Sequence, residues 1–289
     1  MIIKKTINYD QRGIDVLCIS GVHGNESHAV AANYSLYNRL KENKIPNVAN
    51  IEFILNVNEY GLINETRKND YKKEDTTDCN RLFSEEYKTI EEVKEYIQNL
   101  KNLPRLILDI HNSPSCIPCF LIDYNENTNR LLSVTTGVKM YPFIQHTNIG
   151  TIKKYFNSDE YHYAYTMEFP EMGKNGNVGV TVNYLEDFIT VTADNILNEK
   201  QYIYENIQQY IPKDFYTTVK HGILNNPLEN RLYKKDEIIA EVIDLDSEQT
   251  EIIKAPYDGV LYDVNETLYV TNKKAIGSYG RRIGEINED

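Results

Sequence analysis

Ile14-Asp-Val-Leu-Cys-Ile-Ser20, running directly into Gly21-Val-His-Gly-Asn-Glu26, is the stretch that decides how this chain is read. Its first part is apolar or β-branched at nearly every position, the pattern of a strand buried on both faces in a parallel sheet. After Glu26 the period changes. Ala29, Ala32, Leu36, Tyr37 and Leu40 recur at helical spacing and form one apolar face. A strand passing straight into an amphipathic helix is the first half of a βαβ unit.

The same alternation continues outward from this unit. Ile51–Val57, Leu106–Ile110, Phe120–Tyr124 and Tyr165–Phe169 read as further short strands, and Ser84–Lys101 as a helix through Tyr87, Ile90, Val93, Ile97 and Leu100. Gly173–Gly179 reads as a loop, and a long helical region is expected from about Tyr184 to Ile211. Strands alternating with helices predict an α/β fold with a doubly wound, mostly parallel sheet. Beyond Pro212 the texture changes to short β-rich pieces at Ile238–Ile243, Glu251–Lys254, Gly259–Val264 and Leu268–Thr271. Residues 1–212 are therefore expected to form the main α/β domain and 213–289 a small β-rich one. There is no internal repeat or low-complexity tract.

Composition narrows the function. With 43 acidic against 31 basic residues the net charge is −12, which disfavours nucleic acid as a partner. A carboxylate substrate is still compatible, because a few Arg and Lys can be gathered in one cleft. The N-terminus, Met1-Ile-Ile-Lys-Lys-Thr6, lacks the apolar core of a signal peptide, and no run approaches the roughly 18 apolar residues of a membrane span. A soluble cytoplasmic protein without a membrane partner is expected; a homo-oligomer is compatible with the sequence. Cysteines at 18, 79, 116 and 119 do not make a disulfide framework and point to a reducing compartment. Cys116-Ile-Pro-Cys119 has redox-pair spacing, but it follows a strand instead of opening a helix, so buried or loop thiols are the preferred reading.

In open parallel sheets, ligands bind at the carboxyl ends of the strands. His23 and Glu26 lie just past one such end, and His111 at the end of Leu106–Ile110. Either histidine alone is more simply a hydrogen-bonded structural residue. Together, two His and one Glu form a zinc donor set that leaves a fourth position open to water. Asp109 either caps the following segment or orients a ligand.

These residues resemble the succinylglutamate desuccinylase and aspartoacylase family, relatives of the zinc carboxypeptidases. The G-x-H-G-N-E signature is complete at Gly21–Glu26. Asn58 and Arg67 keep the spacing of the family's Asn-Pro-x-Ala…Arg segment, with Glu59 and Gly61 replacing Pro and Ala. Asp78-Cys-Asn-Arg-Leu-Phe83 resembles Asp-Leu-Asn-Arg-x-Phe, Asp109–Asn112 resembles Asp-x-His-Asn, and Glu168 stands where a late strand ends in the catalytic Glu. Five motifs in the family's order cover roughly the first 180 residues. Ala255–Tyr262 resembles part of the family's small β domain.

The resemblance implies one zinc per chain on His23, Glu26 and His111, with Glu168 as general base and then acid. It further implies that Arg67 polarises the scissile carbonyl, that Asn80 and Arg81 hold a substrate carboxylate, and that Tyr279 reaches the substrate. The expected activity is hydrolysis of an amide in an N-acyl amino acid or similar small carboxylate-bearing substrate. Alternatives are a carboxypeptidase-type enzyme acting on short or modified peptides, and a non-catalytic zinc- or ligand-binding protein. On residue type alone, Arg67 reads as a solvated loop residue, Arg81 as a partner of Asp78, Asn80 as a turn former, Glu168 as a strand-end ion-pair partner and Tyr279 as a turn residue. Aspartoacylase itself has an Arg shortly before its catalytic Glu. Here Asn157–Met167 has none and instead carries Tyr161, Tyr163 and Tyr165, so N-acetylaspartate is not the expected substrate.

Overall fold

A computed structural model of the 289-residue chain describes residues 2–68, 78–83, 88–100, 102–113, 119–123, 141–145, 151–152, 163–170, 177–198, 209–225, 232–264, 269–273 and 275–283. Its first half runs β1 (Ile3–Asn8), β2 (Ile14–Ser20), α1 (Ser27–Glu42), β3 (Val48–Asn56), α2 (Glu59–Ile63), α3 (Lys88–Gln98), β4 (Leu106–Ser113), β5 (Cys119–Asp123) and β6 (Tyr141–Gln145). Then follow β7 (Tyr163–Pro170), α4 (Val178–Leu197), β8 (Gln209–Phe215), β9 (Gly222–Leu224), β10 (Leu232–Tyr233), β11 (Ile238–Asp244), β12 (Thr250–Lys254), β13 (Gly259–Val264), β14 (Tyr269–Val270) and β15 (Gly277–Ile283).

Side chains alternate across each strand, and this divides the central strands between two cores. Val16 and Cys18 of β2, with Leu106, Leu108 and Ile110 of β4, pack beneath Ala32, Leu36 and Leu40 of α1 and Leu185, Phe188 and Ile189 of α4. Leu17, Ile19 and Ile107 face the opposite way, onto Ile90, Val93 and Ile97 of α3. Burial on both faces explains why these strands read as continuous apolar runs. β2 is parallel to both β3 and β4, and β4 is parallel to β7. The doubly wound, mostly parallel arrangement is thus observed. β5 runs antiparallel to β7, and β1 antiparallel to β3 at the sheet edge.

One expectation is corrected. The helix expected from Tyr184 to Ile211 starts at Val178, where the Asn177 side chain accepts the backbone N–H groups of Gly179 and Val180, and ends at Leu197. Residues 209–215 are a strand, β8, which pairs along its whole length with β15. The expected division at 212/213 falls inside this strand. Through β8, the eleven-stranded sheet continues into β15, β13 and β10. A second, four-stranded antiparallel sheet, in the order β12-β11-β9-β14, belongs to a smaller core formed by Leu224, Val242, Leu261 and Ile276. Among the described residues no helix is long and apolar enough to cross a membrane.

The turn after β2 is built from close backbone approaches. Gly21 has φ +69°, which disfavours any residue with a Cβ. Its carbonyl accepts the N–H of Asn58 at 2.8 Å. Gly24 lies against Gly61 of α2, where an added Cβ would come within 1.9 Å of the Gly61 carbonyl carbon. Gly61 is equally confined, since its own Cβ would meet the Thr66 carbonyl at 2.7 Å. This accounts for glycine standing where the family motif has alanine. Gly24→Ala should therefore force the turn and α2 apart and cost about 1–3 kcal/mol as overpacking. A urea-denaturation midpoint equal to that of the wild type would contradict this packing.

Candidate metal centre

Glu26 occupies the N-cap position of α1 but makes no side-chain capping bond. Its carboxylate instead turns toward two imidazoles. Oε1 lies 2.7 Å from Nδ1 of His23 and Oε2 2.8 Å from Nδ1 of His111, while the two Nδ1 atoms are 3.1 Å apart. All three side chains are buried. The turn after β2 delivers His23 and Glu26, and the neighbouring strand β4 delivers His111. Asn112 fastens the two elements: its N–H donates to Glu26 Oε2 at 3.3 Å, and its side-chain oxygen accepts the N–H of Ala29, in the first turn of α1, at 3.0 Å.

Each imidazole has its other nitrogen on a second carboxylate. Nε2 of His23 is 2.9 Å from Oδ1 of Asp78, and Nε2 of His111 is 2.9 Å from Oδ2 of Asp109. These acceptors favour the Nε2–H tautomer and leave the Nδ1 lone pairs facing Glu26, the way ligand histidines are oriented in metal sites. Of its two sequence readings, Asp109 thus takes the orienting one; Thr166 on β7 also donates to it, at 3.4 Å. The contact of Asp78 with His23 was not foreseen, because it joins segments 55 residues apart through a loop that carries no periodic signal.

The other expected site residues fall at different distances from this cluster. Asn80 lies in a short 3₁₀ turn, Cys79–Arg81, with its amide nitrogen 3.5 Å from Nε2 of His111 and its side-chain oxygen accepting the N–H of Ile152. Arg67 reaches in from the surface, with Nη1 3.6 Å from Glu26 Oε1 and Nε 3.4 Å from Asp78 Oδ2. Arg81 is exposed and donates to the Asn80 carbonyl at 2.8 Å. Thus Arg67, and not Arg81, partners Asp78. Half-buried Glu168 is one strand over, on β7, in register with His111. Tyr279 lies within β15, not in a turn; β7, β5, β6 and β8 stand between that strand and β4. Tyr163 and Tyr165 pack in the core beneath α1 and α4, on the opposite face of β7 from Glu168. Cys116 and Tyr161 lie outside the described residues.

Charge is tightly balanced here. Burial alone would raise the Glu26 carboxyl, but the two imidazoles outweigh it and bring its pKa down to about 2. Asp78 is likewise held well below the ordinary carboxylate range by His23 and Arg67, against the effect of burial. Burial would make His111 less basic, yet Asp109 and Glu26 raise it well above 6.5. Glu168 moves the other way, to about 7, through burial first and then the nearby Glu26 and Asp109 charges, opposed by the imidazoles. His111 thus stabilises the apo protein fully below its unfolded pKa, and this contribution fades as pH rises through the raised folded value. Glu26 stabilises above its ordinary value of 4.5, and this contribution is lost as pH falls toward 2.

Two imidazole nitrogens and a carboxylate oxygen, converging from His23, Glu26 and His111, fit a borderline-soft dication such as zinc. Such an ion competes with protons for the imidazoles, so its affinity should weaken as pH falls, by about tenfold per pH unit for each proton displaced. Chelator competition with zinc should show this slope below the pKa of His111, and His111→Ala should lose most of the affinity. A pH-independent affinity, or one unchanged in His111→Ala, would place the ion elsewhere.

Comparison with known proteins gives a family match and a set of similar folds. The profile of the succinylglutamate desuccinylase/aspartoacylase catalytic domain matches residues 12–182, more than half of the chain. That span contains His23, Glu26, Arg67, Asn80, Arg81, His111 and Glu168 but not Tyr279. Among solved structures, an aspartoacylase family protein from Mesorhizobium loti is similar at 15% identity, with a TM-score of 0.69 over 98% of this chain and 89% of that one. A succinylglutamate desuccinylase/aspartoacylase from Rhodobacter sphaeroides gives 14% identity and a TM-score of 0.71 over 98% and 90%. Murine aminoacylase 3 gives 14% and 0.60 over 94% and 96%. At these identities the structures speak for the fold. No curated protein sequence matches.

Proposed function

Since the chain belongs to the succinylglutamate desuccinylase/aspartoacylase family, whose members are deacylases, we propose that it is a zinc-dependent amidohydrolase acting on an N-acyl amino acid or similar small carboxylate-bearing substrate. The observation that carries this reading is the convergence of His23, Glu26 and His111 one strand away from the half-buried carboxyl of Glu168. Bound there, one zinc ion per chain supplies Lewis acidity and makes a neighbouring water acidic near neutral pH.

The chain's own residues supply the rest. Glu168 takes the proton of the attacking water as its oxygen bonds to the amide carbon, then hands a proton to the departing amine nitrogen as the C–N bond breaks. A carboxyl whose pKa lies near 7 suits both halves of that transfer. The Arg67 guanidinium faces the charge that develops on the carbonyl oxygen. Asn80 and Arg81 hold the substrate carboxylate, whereas Tyr279 enters the reading by resemblance alone. Except for Tyr279, all these groups lie within residues 1–212, the proposed catalytic domain. N-acetylaspartate is not the proposed substrate: Asn157–Met167 has no Arg, and Tyr163 and Tyr165 turn away from the face that carries Glu168. A cytoplasmic location belongs to the same proposal and is supported by the free thiol of Cys18 in the core.

A screen of the zinc-loaded protein should find hydrolysis of N-acyl amino acids, with their carboxamide analogues and short peptides turned over poorly. Preference for peptides, or no turnover of any of these, would overturn the reading. Glu168→Gln should keep its zinc and lose about 10² to 10⁴ in kcat. A folded, zinc-loaded Glu168→Gln protein within a few-fold of wild type would remove Glu168 from the mechanism. Arg81→Ala should weaken the carboxylate substrate by about 1.5–3 kcal/mol while leaving the carboxamide analogue unaffected, as measured by KM.

A further inference from the structure

Asp78 stands where the metal cluster meets the surface arginine. Its Oδ1 lies 2.9 Å from Nε2 of His23 and accepts the backbone N–H of Asn80 at 2.9 Å; its Oδ2 lies 3.4 Å from Nε of Arg67. The Asp78 side chain is 17% exposed and that of Arg67 47%. A half-exposed arginine at the end of a long stem samples many rotamers unless something holds it. Among the described residues, its ion-pair contact apart from Asp78 is the longer one to Glu26, at 3.6 Å.

We propose that Asp78 is a positioning residue that ties the imidazole of His23 to the guanidinium of Arg67, so that one carboxylate sets both the metal ligand and the group facing the substrate carbonyl. The inference rests on the function proposed above. The two oxygens have separate tasks. Oδ1 fixes which imidazole nitrogen carries the proton, and so keeps Nδ1 turned toward Glu26 and His111. Oδ2 engages the arginine through Nε, and a guanidinium held there keeps its two terminal nitrogens available for an oxyanion. Asp109 performs the first task for His111, with no arginine among its ion-pair partners in the described residues.

A plainer role is also open to Asp78, since it caps the 3₁₀ turn Cys79–Arg81. Asp78→Ser separates the two, because serine keeps an N-cap oxygen but cannot reach both His23 and Arg67. Asp78→Asn keeps shape and cap while presenting an uncharged amide to Arg67. Zinc affinity would be read by chelator competition. The Nε–H resonance of Arg67, assigned by its absence in Arg67→Lys, would be followed in ¹⁵N spectra of the zinc-loaded full chain.

Both Asp78 variants should bind zinc about 10- to 100-fold more weakly, the usual loss when a histidine ligand's outer carboxylate is removed. Both should also shift the Arg67 resonance and speed its exchange with water. Asp109→Asn should weaken zinc but leave the Arg67 resonance in place. Asp78 variants with wild-type zinc affinity, or with the Arg67 signal unmoved, would overturn the proposal. Neither readout needs turnover. A wild-type protein that hydrolyses no N-acyl amino acid while both Asp78 effects appear would therefore reject the proposed function and retain the tie; active wild type with neither effect would do the reverse.

Discussion

The carboxylate of Glu26, buried between two imidazoles contributed by different elements, is the interaction around which the rest of this structure is arranged. A buried charge without partners is costly enough to unfold a domain or to neutralise itself. Glu26 avoids both outcomes because His23, His111 and the Asn112 N–H all reach it. Each condition draws in more of the fold. His23 arrives only if Gly21 adopts its positive φ and Gly24 meets Gly61, and His111 only if β4 lies beside β2 in parallel register.

The parallel pairing of β2, β4 and β7 brings strand ends of the same polarity to one edge, which is why side chains far apart in sequence converge there. Strand alternation then sorts them by face. Asp109 and His111 point to one side of β4, and Thr166 and Glu168 are their register partners on β7. Leu108, Ile110, Tyr165 and Met167 point to the other side, into the core under α1 and α4. The same two-residue period that buries the core thus also gathers the chemistry, and a one-residue slip between β4 and β7 would send Glu168 into apolar surroundings.

What could be read in the sequence follows from these physical origins. The β2-to-α1 unit and the His23, Glu26 and His111 set were legible because a buried strand, an amphipathic helix and a short ligand motif each leave local patterns. β1 was not legible: apart from Ile7 its residues are exposed, and Lys4 and Lys5 give an edge strand that resembles a loop in composition. The start of β8, Gln209–Ile211, reads as the end of a helix because the order of this strand comes from pairing with β15, a partner at the far end of the chain. Asp78 was matched with nearby Arg81, whereas space brings it His23 and Arg67. Contacts between loops have no periodicity to announce them.

The charge inventory of the cluster bears on what it can admit. Glu26, Asp78, Asp109 and Glu168 place four carboxyls around two imidazoles, and within the described cluster Arg67 is the permanently charged cation paired with them. The chain as a whole carries −12. A substrate bearing a carboxylate would meet a repulsive field at such a site unless positive charge were added where the carboxylates converge. A dication held by His23, Glu26 and His111 would supply that charge and remove the need for imidazolium protons. It would also relieve Arg67 of sharing Glu26, leaving the guanidinium to Asp78. Metal loading and readiness for an anionic substrate would then be one electrostatic event, with the carboxylates that oppose an anion making the cation's place.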